Sequence, residues 1–244
     1  MSNRSMSISQ FYGICKRRIP AILVAVALSG AALPLQAQSP ADNRHPITGR
    51  RYANVMGMGG ADWLVRPERE TEENVEGALD AIGISSGATV AEIGAGVGYV
   101  VLKMAKRVGP TGTVFANDIQ QPMLDRLKQT TARFGVSNIV PVLGEVDDPK
   151  LPANRVDLII LVDVYHEFSQ PQKMLRGIRS ALKPDGRLVL LEYRKEDPAV
   201  PILPDHKMSV AEVKAELQPE GFRLVEAIEK LPRQHILVFQ KAAN

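Results

Sequence analysis

The sequence predicts an α/β fold: one open, mostly parallel, twisted sheet of about seven strands, with helices on both faces and an antiparallel hairpin at the C-terminal end. Three observations predict it. Short apolar runs alternate with helical patterns of about 10 to 15 residues, the way crossover helices join parallel strands. The run "VDLIILVD" is apolar on both of its faces, as a strand covered on both sides must be. The stretch "TVAEIGAGVGYV", residues 89–100, runs from a strand through a glycine-rich turn into a helix.

The first 37 residues stand apart from this pattern. They hold Arg4, Lys16, Arg17 and Arg18 and no acidic residue. The basic cluster precedes the apolar run "IPAILVAVALSGAALPL", which is followed by the small-residue signal "LQA" at residues 35–37. That order predicts a secretory signal peptide cut after Ala37, export to the periplasm, and no stable membrane anchor once the signal is cleaved. The apolar run is shorter than the roughly 20 residues a membrane span needs. The whole chain has a formal charge of +3. Setting the four leader cations aside leaves 26 of its 30 basic residues against 27 acidic ones, so the remainder is near neutral and shows no nucleic-acid footprint. Cys15 is the one cysteine and lies in the leader, so the mature chain has no disulfide, thiolate metal site or cysteine nucleophile.

Residues 38–65 read as an extended arm. Tyr52, Met56, Met58 and Trp63 cluster there among glycines, which suits either a lid over a ligand or a cover for the end of the sheet. Residues 66–244 form the folded domain. "RPERETEENVEGALDAIGI" reads as one helix, with Pro67 in its first turn and Val75, Leu79 and Ile82 on one face. "TVAEI" is the first strand, and the helix "GYVVLKMAKRVG" ends at Gly109. "GTVFAND" is a strand, and "QQPMLDRLKQTTARFG" is a helix ended by Gly135. "IVPVLGE" is a strand whose Pro141 points to an edge position. After "VDLIILVD" come the helix "PQKMLRGIRSAL", the turn and strand "KPDGRLVLLEY", the helix "SVAEVKAELQPEGF" and the hairpin "FRLVEAIEKLPRQHILVFQ".

The glycine turn narrows the ligand. A phosphate loop ends in Gly-Lys-Ser/Thr, which is missing here, and a dinucleotide turn carries glycine at its sixth position, where this chain has Tyr99. Gly94, Gly96 and Gly98 make a GxGxG turn two residues after Glu92, and Asp118 ends the next strand twenty residues beyond Gly98. With "VLGEVDDPKLP" after the third strand and "DLIILVDVYHEF" followed by "LKPDGRLVLLEY", these segments resemble the Rossmann-like class I methyltransferases that use S-adenosylmethionine (SAM). The resemblance covers roughly residues 66–193. It implies SAM as cofactor and a small-molecule methyl acceptor, with no nucleic-acid partner. It implies that Glu92, Gly94, Ala95, Gly96 and Gly98 hold the amino-acid end and ribose of the cofactor. It makes Asp118 with Ile119 the ribose site, and Glu145 with Val146 the adenine contact, although Glu145 replaces the family's usual Asp. Asp163 contacts the cofactor or orders the strand end.

Methyl transfer needs a base only when the acceptor holds a proton of high pKa. His166 in "DVYHEF" is the candidate base, with Tyr165 orienting acceptor or sulfonium; the competing reading makes His166 a packing residue. His206 lies in the long loop after the fifth strand, where this family builds acceptor pockets. No histidine pair has metal-ligand spacing, and Asp163 with Glu192 makes no carboxylate cluster, so no metal is expected. Two alternatives stay open: a protein carboxyl methyltransferase of the isoaspartate type, suggested by "VGPTGTVFAND", and a non-catalytic SAM-binding protein.

Overall fold

Glycine and asparagine set the element boundaries of this fold. The computed structural model describes residues 43–243; the leader of residues 1–37 lies outside them. The segment expected as one helix splits into α1 (Arg69–Glu73) and α2 (Val75–Ile82). Asn74 breaks it by adopting a left-handed conformation (φ 52°), and its side chain then accepts the N–H of Gly77 to cap α2. Val75, Leu79 and Ile82 are buried, as their spacing predicts.

The remaining elements follow in the expected order. They are β1 (Thr89–Ile93), α3 (Tyr99–Val108), β2 (Thr113–Asp118), α4 (Gln121–Phe134), β3 (Ile139–Leu143), β4 (Val156–Val162) and α5 (Pro171–Ala181). Then come β5 (Leu182–Arg194), a short β6 (Lys207–Met208), α6 (Val210–Leu217), and the antiparallel pair β7 (Phe222–Ile228) and β8 (Gln234–Lys241). The sheet order is β3-β2-β1-β4-β5-β8-β7, parallel from β3 to β5. Pro141 sits on the edge strand β3, as its missing N–H requires. The turn expected at "KPDG" is absorbed into β5: Val156 pairs with Leu182 and Leu158 with Arg187, so the intervening residues of β5 bulge out of register.

Alternation along β4 builds two cores. Leu158, Ile160 and Val162 face α2 and α3, while Ile159 and Leu161 face α5 and α6. Both faces are thereby sealed, which explains why the sequence of β4 is continuously apolar. Among the described residues no helix is long and apolar enough to cross a membrane.

The chain passes from β1 outward to β2 and β3, then returns to β4 on the other side of β1. The carboxyl ends of β1 and β4 therefore diverge, and such a switch point leaves a crevice for a ligand. β6 sharpens the crevice. β8 occupies one edge of β5 at Tyr193, so Lys207 pairs along the other edge, the one β4 vacates after Val162. This brings the loop after β5 to the end of β4.

Candidate active site

Between Ile93 and Tyr99 the chain turns from β1 into α3 in a space that excludes side chains. Gly94 has φ 76°, and a Cβ there would come within 2.4 Å of Val164 Cγ2. Gly96 has φ 52°, and a Cβ there would meet Leu64 Cδ1 of the arm at 2.9 Å. The positive φ favours glycine at both positions, and at Gly94 the branched Val164 side chain closes the gap as well. The turn spends its N–H groups on its own framework: Gly94 and Ala95 donate to Asn117 O at 2.9 and 2.8 Å, Gly96 donates to Asp118 Oδ2 at 2.8 Å, and Gly98 donates to Ala95 O. A phosphate cradle points such donors at its ligand. These four point elsewhere.

The turn forms one wall of a cavity of about 360 Å³. The arm, the end of β2, the residues after β4 and the loop after β5 form the others. One end of the cavity is charged. Glu92 is buried with Oε2 unpartnered, and burial pushes its carboxyl up to about 8 despite the nearby Arg69. Asp163, held at φ 55°, accepts from Gln234 Nε2 at 2.7 Å with Oδ2, while Oδ1 is enclosed and unpartnered. Burial, then the charges of Glu73 and Glu192, raise its pKa well above the usual carboxylate range. The Arg69 guanidinium faces both carboxylates. It donates to Glu73 Oε2 at 2.7 Å and to Leu64 O at 2.9 Å. Tyr193 closes this end with its hydroxyl 3.0 Å from Glu73 Oε1.

The middle of the cavity is polar at one point and apolar around it. Asp118 accepts from Gly96 N with Oδ2 and from Gln120 N, at 2.9 Å, with Oδ1. The Ile119 N–H also reaches this carboxylate, which keeps acceptor capacity for a ligand hydroxyl. Burial raises its pKa, partly offset by these N–H bonds. Ile119, Met123 and Val146 supply apolar surface beside it.

The other end is built on two 3-10 turns, Tyr165–Glu167 after β4 and Pro204–His206 before β6. His166 Nδ1 lies 2.6 Å from Glu192 Oε2, and Glu192 Oε1 accepts the Tyr165 N–H at 2.9 Å. With Nδ1–H held by that carboxylate, the free lone pair of His166 is on Nε2, which lies 3.2 Å from His206 Nδ1. Burial opposes charging of His166, yet the adjacent Glu192 outweighs it and raises its pKa. His206 is lowered by burial and by His166. Glu167, its carboxylate beside the Met56 N–H, is pushed by burial up to about 7.

The cavity thus gathers Glu92, Gly94, Ala95, Gly96, Asp118, Ile119, Val146, Asp163 and His166 from the residues singled out in the sequence. Three depart from expectation. Tyr165 faces the core beneath the sheet, fully buried against Phe168 and under the Arg50 guanidinium, because successive residues of a 3-10 turn point about 120° apart. Glu145 turns outward to Lys150 at 3.1 Å, held by a tight turn with Asp148. Gly98 packs on Leu127 of α4 rather than on the cavity. Sequence reading missed Arg69, Met123, Glu167 and Tyr193 as cavity residues; Glu167 stands beside His166 in "DVYHEF" and Tyr193 ends the fifth-strand motif, whereas Arg69 and Met123 enter through tertiary approaches that no local motif records.

The arm contributes Val55, Met56, Trp63 and Leu64 to the cavity wall. Its anchor is buried. Arg50 grips Glu216 of α6 with Nε at 2.9 Å from Oε1 and Nη2 at 3.0 Å from Oε2. Arg50 Nη1 also donates to His166 O at 2.9 Å, and the Ala53 N–H donates to the same oxygen at 3.1 Å. His45 adds Nε2 at 3.4 Å from Glu216, and burial lowers its pKa. The arm and the His166 turn are therefore one tied unit.

Comparison with known proteins fits this geometry. A family model described as a methyltransferase domain matches residues 84–235. The ubiquinone/menaquinone biosynthesis C-methyltransferases UbiE of Escherichia fergusonii and Citrobacter koseri are each 31% identical over 118 residues, 48% of this chain. The match takes in 47% of each relative, so the chain spans about half the length of the curated relatives it matches. A SAM dependent methyltransferase from Aquifex aeolicus superposes with a TM-score of 0.72 at 26% identity, over 76% of this chain and 98% of that one. The [4+2]-cyclase SpnF superposes at 0.60 with 15% identity, over 79% of this chain and 88% of its own, a likeness of fold alone.

Proposed function

We propose, for a chain that belongs to the SAM-dependent methyltransferase family, that it transfers a methyl group from SAM to a small apolar acceptor carrying an ionisable oxygen. The charged end of the cavity carries this reading. Two enclosed carboxylates with unpartnered oxygens, Glu92 and Asp163, face one buried guanidinium, Arg69. Unpartnered buried acceptors are costly, so such a site is made for a cation with hydrogen-bond donors. The amino-acid tail of SAM offers an ammonium for the carboxylates and a carboxylate for Arg69. Asp118 suits its ribose hydroxyls, and Ile119, Met123 and Val146 suit the face of its adenine.

When bound, SAM supplies a methyl group already activated on a sulfonium sulfur. The protein then has to align an acceptor and keep water out. Val55, Met56, Trp63 and Leu203 rim the cavity with apolar surface and take the acceptor's carbon skeleton. His166 Nε2 takes the acceptor's proton, while Glu192 fixes the ring and stabilises its charged form. The likeness to C-methyltransferases of quinone biosynthesis supports a phenol-like acceptor. Export to the periplasm is part of this proposal and rests on residues 1–37.

The test is calorimetric. The wild-type protein binds SAM or S-adenosylhomocysteine with one-to-one stoichiometry and gives no heat with NAD. Asp163→Asn keeps the left-handed conformation, which asparagine tolerates, and removes the negative acceptor. It weakens SAM by about ten- to a hundredfold, the equivalent of roughly 1.5–3 kcal/mol for a bond to a charged group. Binding of NAD in preference to SAM, or unchanged affinity in Asp163→Asn, sinks the reading. Acceptors are then screened among hydroquinones of graded side-chain length.

A further inference from the structure

Among the described residues, His166, Glu167 and His206 bring two imidazole nitrogens and a carboxylate oxygen within 4.8 Å of one another, at the acceptor end of the cavity. We propose that these three side chains bind one divalent transition-metal ion, zinc in the first instance, whose open positions face the acceptor.

Four observations support the site. First, the two nitrogens lie 3.2 Å apart. Ligands at about 2.0–2.1 Å from one tetrahedral ion are separated by about 3.3 Å, so the pair already stands at bridging distance. A Glu167 carboxylate oxygen lies within 4.8 Å of both nitrogens. Second, Glu192 holds Nδ1 of His166 at 2.6 Å, leaving Nε2 as the ligand atom. A carboxylate behind a ligating imidazole is the usual device for fixing its tautomer and raising its basicity. Third, the ligands are held from outside the cluster. The His166 carbonyl is gripped by Arg50 Nη1 and the Ala53 N–H, the Glu167 carboxylate meets the Met56 N–H, and the His206 N–H donates to Leu203 O. Fourth, all three side chains line the cavity, so an incoming acceptor reaches the ion directly.

The donor set names the class of ion. Two imidazoles and one carboxylate suit zinc or another borderline divalent ion, whereas magnesium and calcium take oxygen ligands. Three protein ligands leave at least one position for an acceptor oxygen. This rests on the proposed function for the identity of the acceptor and changes one role in it: with Nε2 of His166 on the ion, an acceptor hydroxyl ionises on coordination and its proton leaves to water. Ion binding itself does not depend on the cofactor. The competing reading is a plain hydrogen bond between the two imidazoles, and it predicts no metal affinity.

The experiment uses the full chain, stripped with a chelator and dialysed. Zinc is titrated by calorimetry and cobalt(II) by its visible absorption. One equivalent of each ion binds, and bound cobalt shows the intense bands of a four- or five-coordinate site with nitrogen and oxygen ligands. His206→Ala and Glu167→Gln each weaken zinc at least tenfold. Glu192→Gln, behind His166, weakens it by about ten- to a hundredfold. Circular dichroism and S-adenosylhomocysteine binding in the stripped variants show that fold and cofactor pocket are intact, and failure of that binding in the stripped wild type counts against the methyltransferase reading alone. Zinc affinity unchanged in both His206→Ala and Glu167→Gln, or no saturable binding at millimolar zinc, overturns the proposal.

Discussion

Glu92 illustrates how one side chain can report on ligand binding. Burial pushes its carboxyl up to about 8, so at pH 7 roughly nine-tenths of it is protonated in the free protein. An ammonium placed against it favours the ionised form and lowers that pKa. SAM binding at pH 7 therefore releases most of a proton from Glu92, and affinity rises with pH up to about 8, because the free state holds more protons than the complex. Calorimetry in buffers of different ionisation enthalpy counts the protons. Wild type and Glu92→Gln should differ by most of one proton, and equal counts would remove Glu92 from the cofactor's ammonium. Its position two residues before the glycine turn made Glu92 legible in sequence. Arg69 was not legible: it belongs to a helix that precedes β1 and reaches the cavity by folding across it. Tyr165 and His166 show the same limit at closer range. They are neighbours in one motif, yet a 3-10 turn sends the first into the core and the second into the cavity.

At the scale of elements, the strands and helices were legible because their periods are local, whereas the ties between them were not. The single helix expected from residue 66 failed at Asn74, whose left-handed conformation lets α1 carry Arg69 and Glu73 into the buried charge network. The arm is the larger case. Its composition suggested either a lid or a cover for the end of the sheet, but nothing in "HPITGRRYANV" announces that Arg50 is matched to Glu216, 166 residues later. Glu216 is fully buried and also accepts from the Thr48 hydroxyl. Removing its charge strands the Arg50 guanidinium in the interior, which costs about 3–5 kcal/mol. For a domain of this size that lowers Tm by roughly 6–20 °C. Glu216→Gln should show this loss in thermal unfolding. The double variant Arg50→Met with Glu216→Leu should recover much of it, because an apolar pair replaces the stranded charge. A single variant within about 1 kcal/mol of wild type would mean the arm is held by its apolar contacts instead.

At the scale of the whole molecule, charge separates the leader from the rest of the chain. The described residues, 43–243, form one compact unit built around apolar clusters on both faces of the sheet. Among the described residues, the buried network of the arm is made by His45, Thr48 and Arg50, all beyond the expected cut after Ala37. A chain beginning at Gln38 therefore retains these ties between arm and α6. Such a protein should fold with the Tm and SAM affinity of the full-length chain that keeps residues 1–37, while its charge balance shifts from basic to near neutral. Intact-mass measurement of the exported protein checks the cut, and thermal unfolding with and without SAM checks the fold. If the chain from Gln38 loses more than a few degrees, residues before it contribute to the domain. A cytoplasmic protein that retains Met1 would instead overturn export. The same comparison bears on the arm. The arm's tie to the His166 turn runs through Arg50 and Ala53, so a leaderless chain with wild-type SAM affinity places every element needed to form the cavity within residues 38–244.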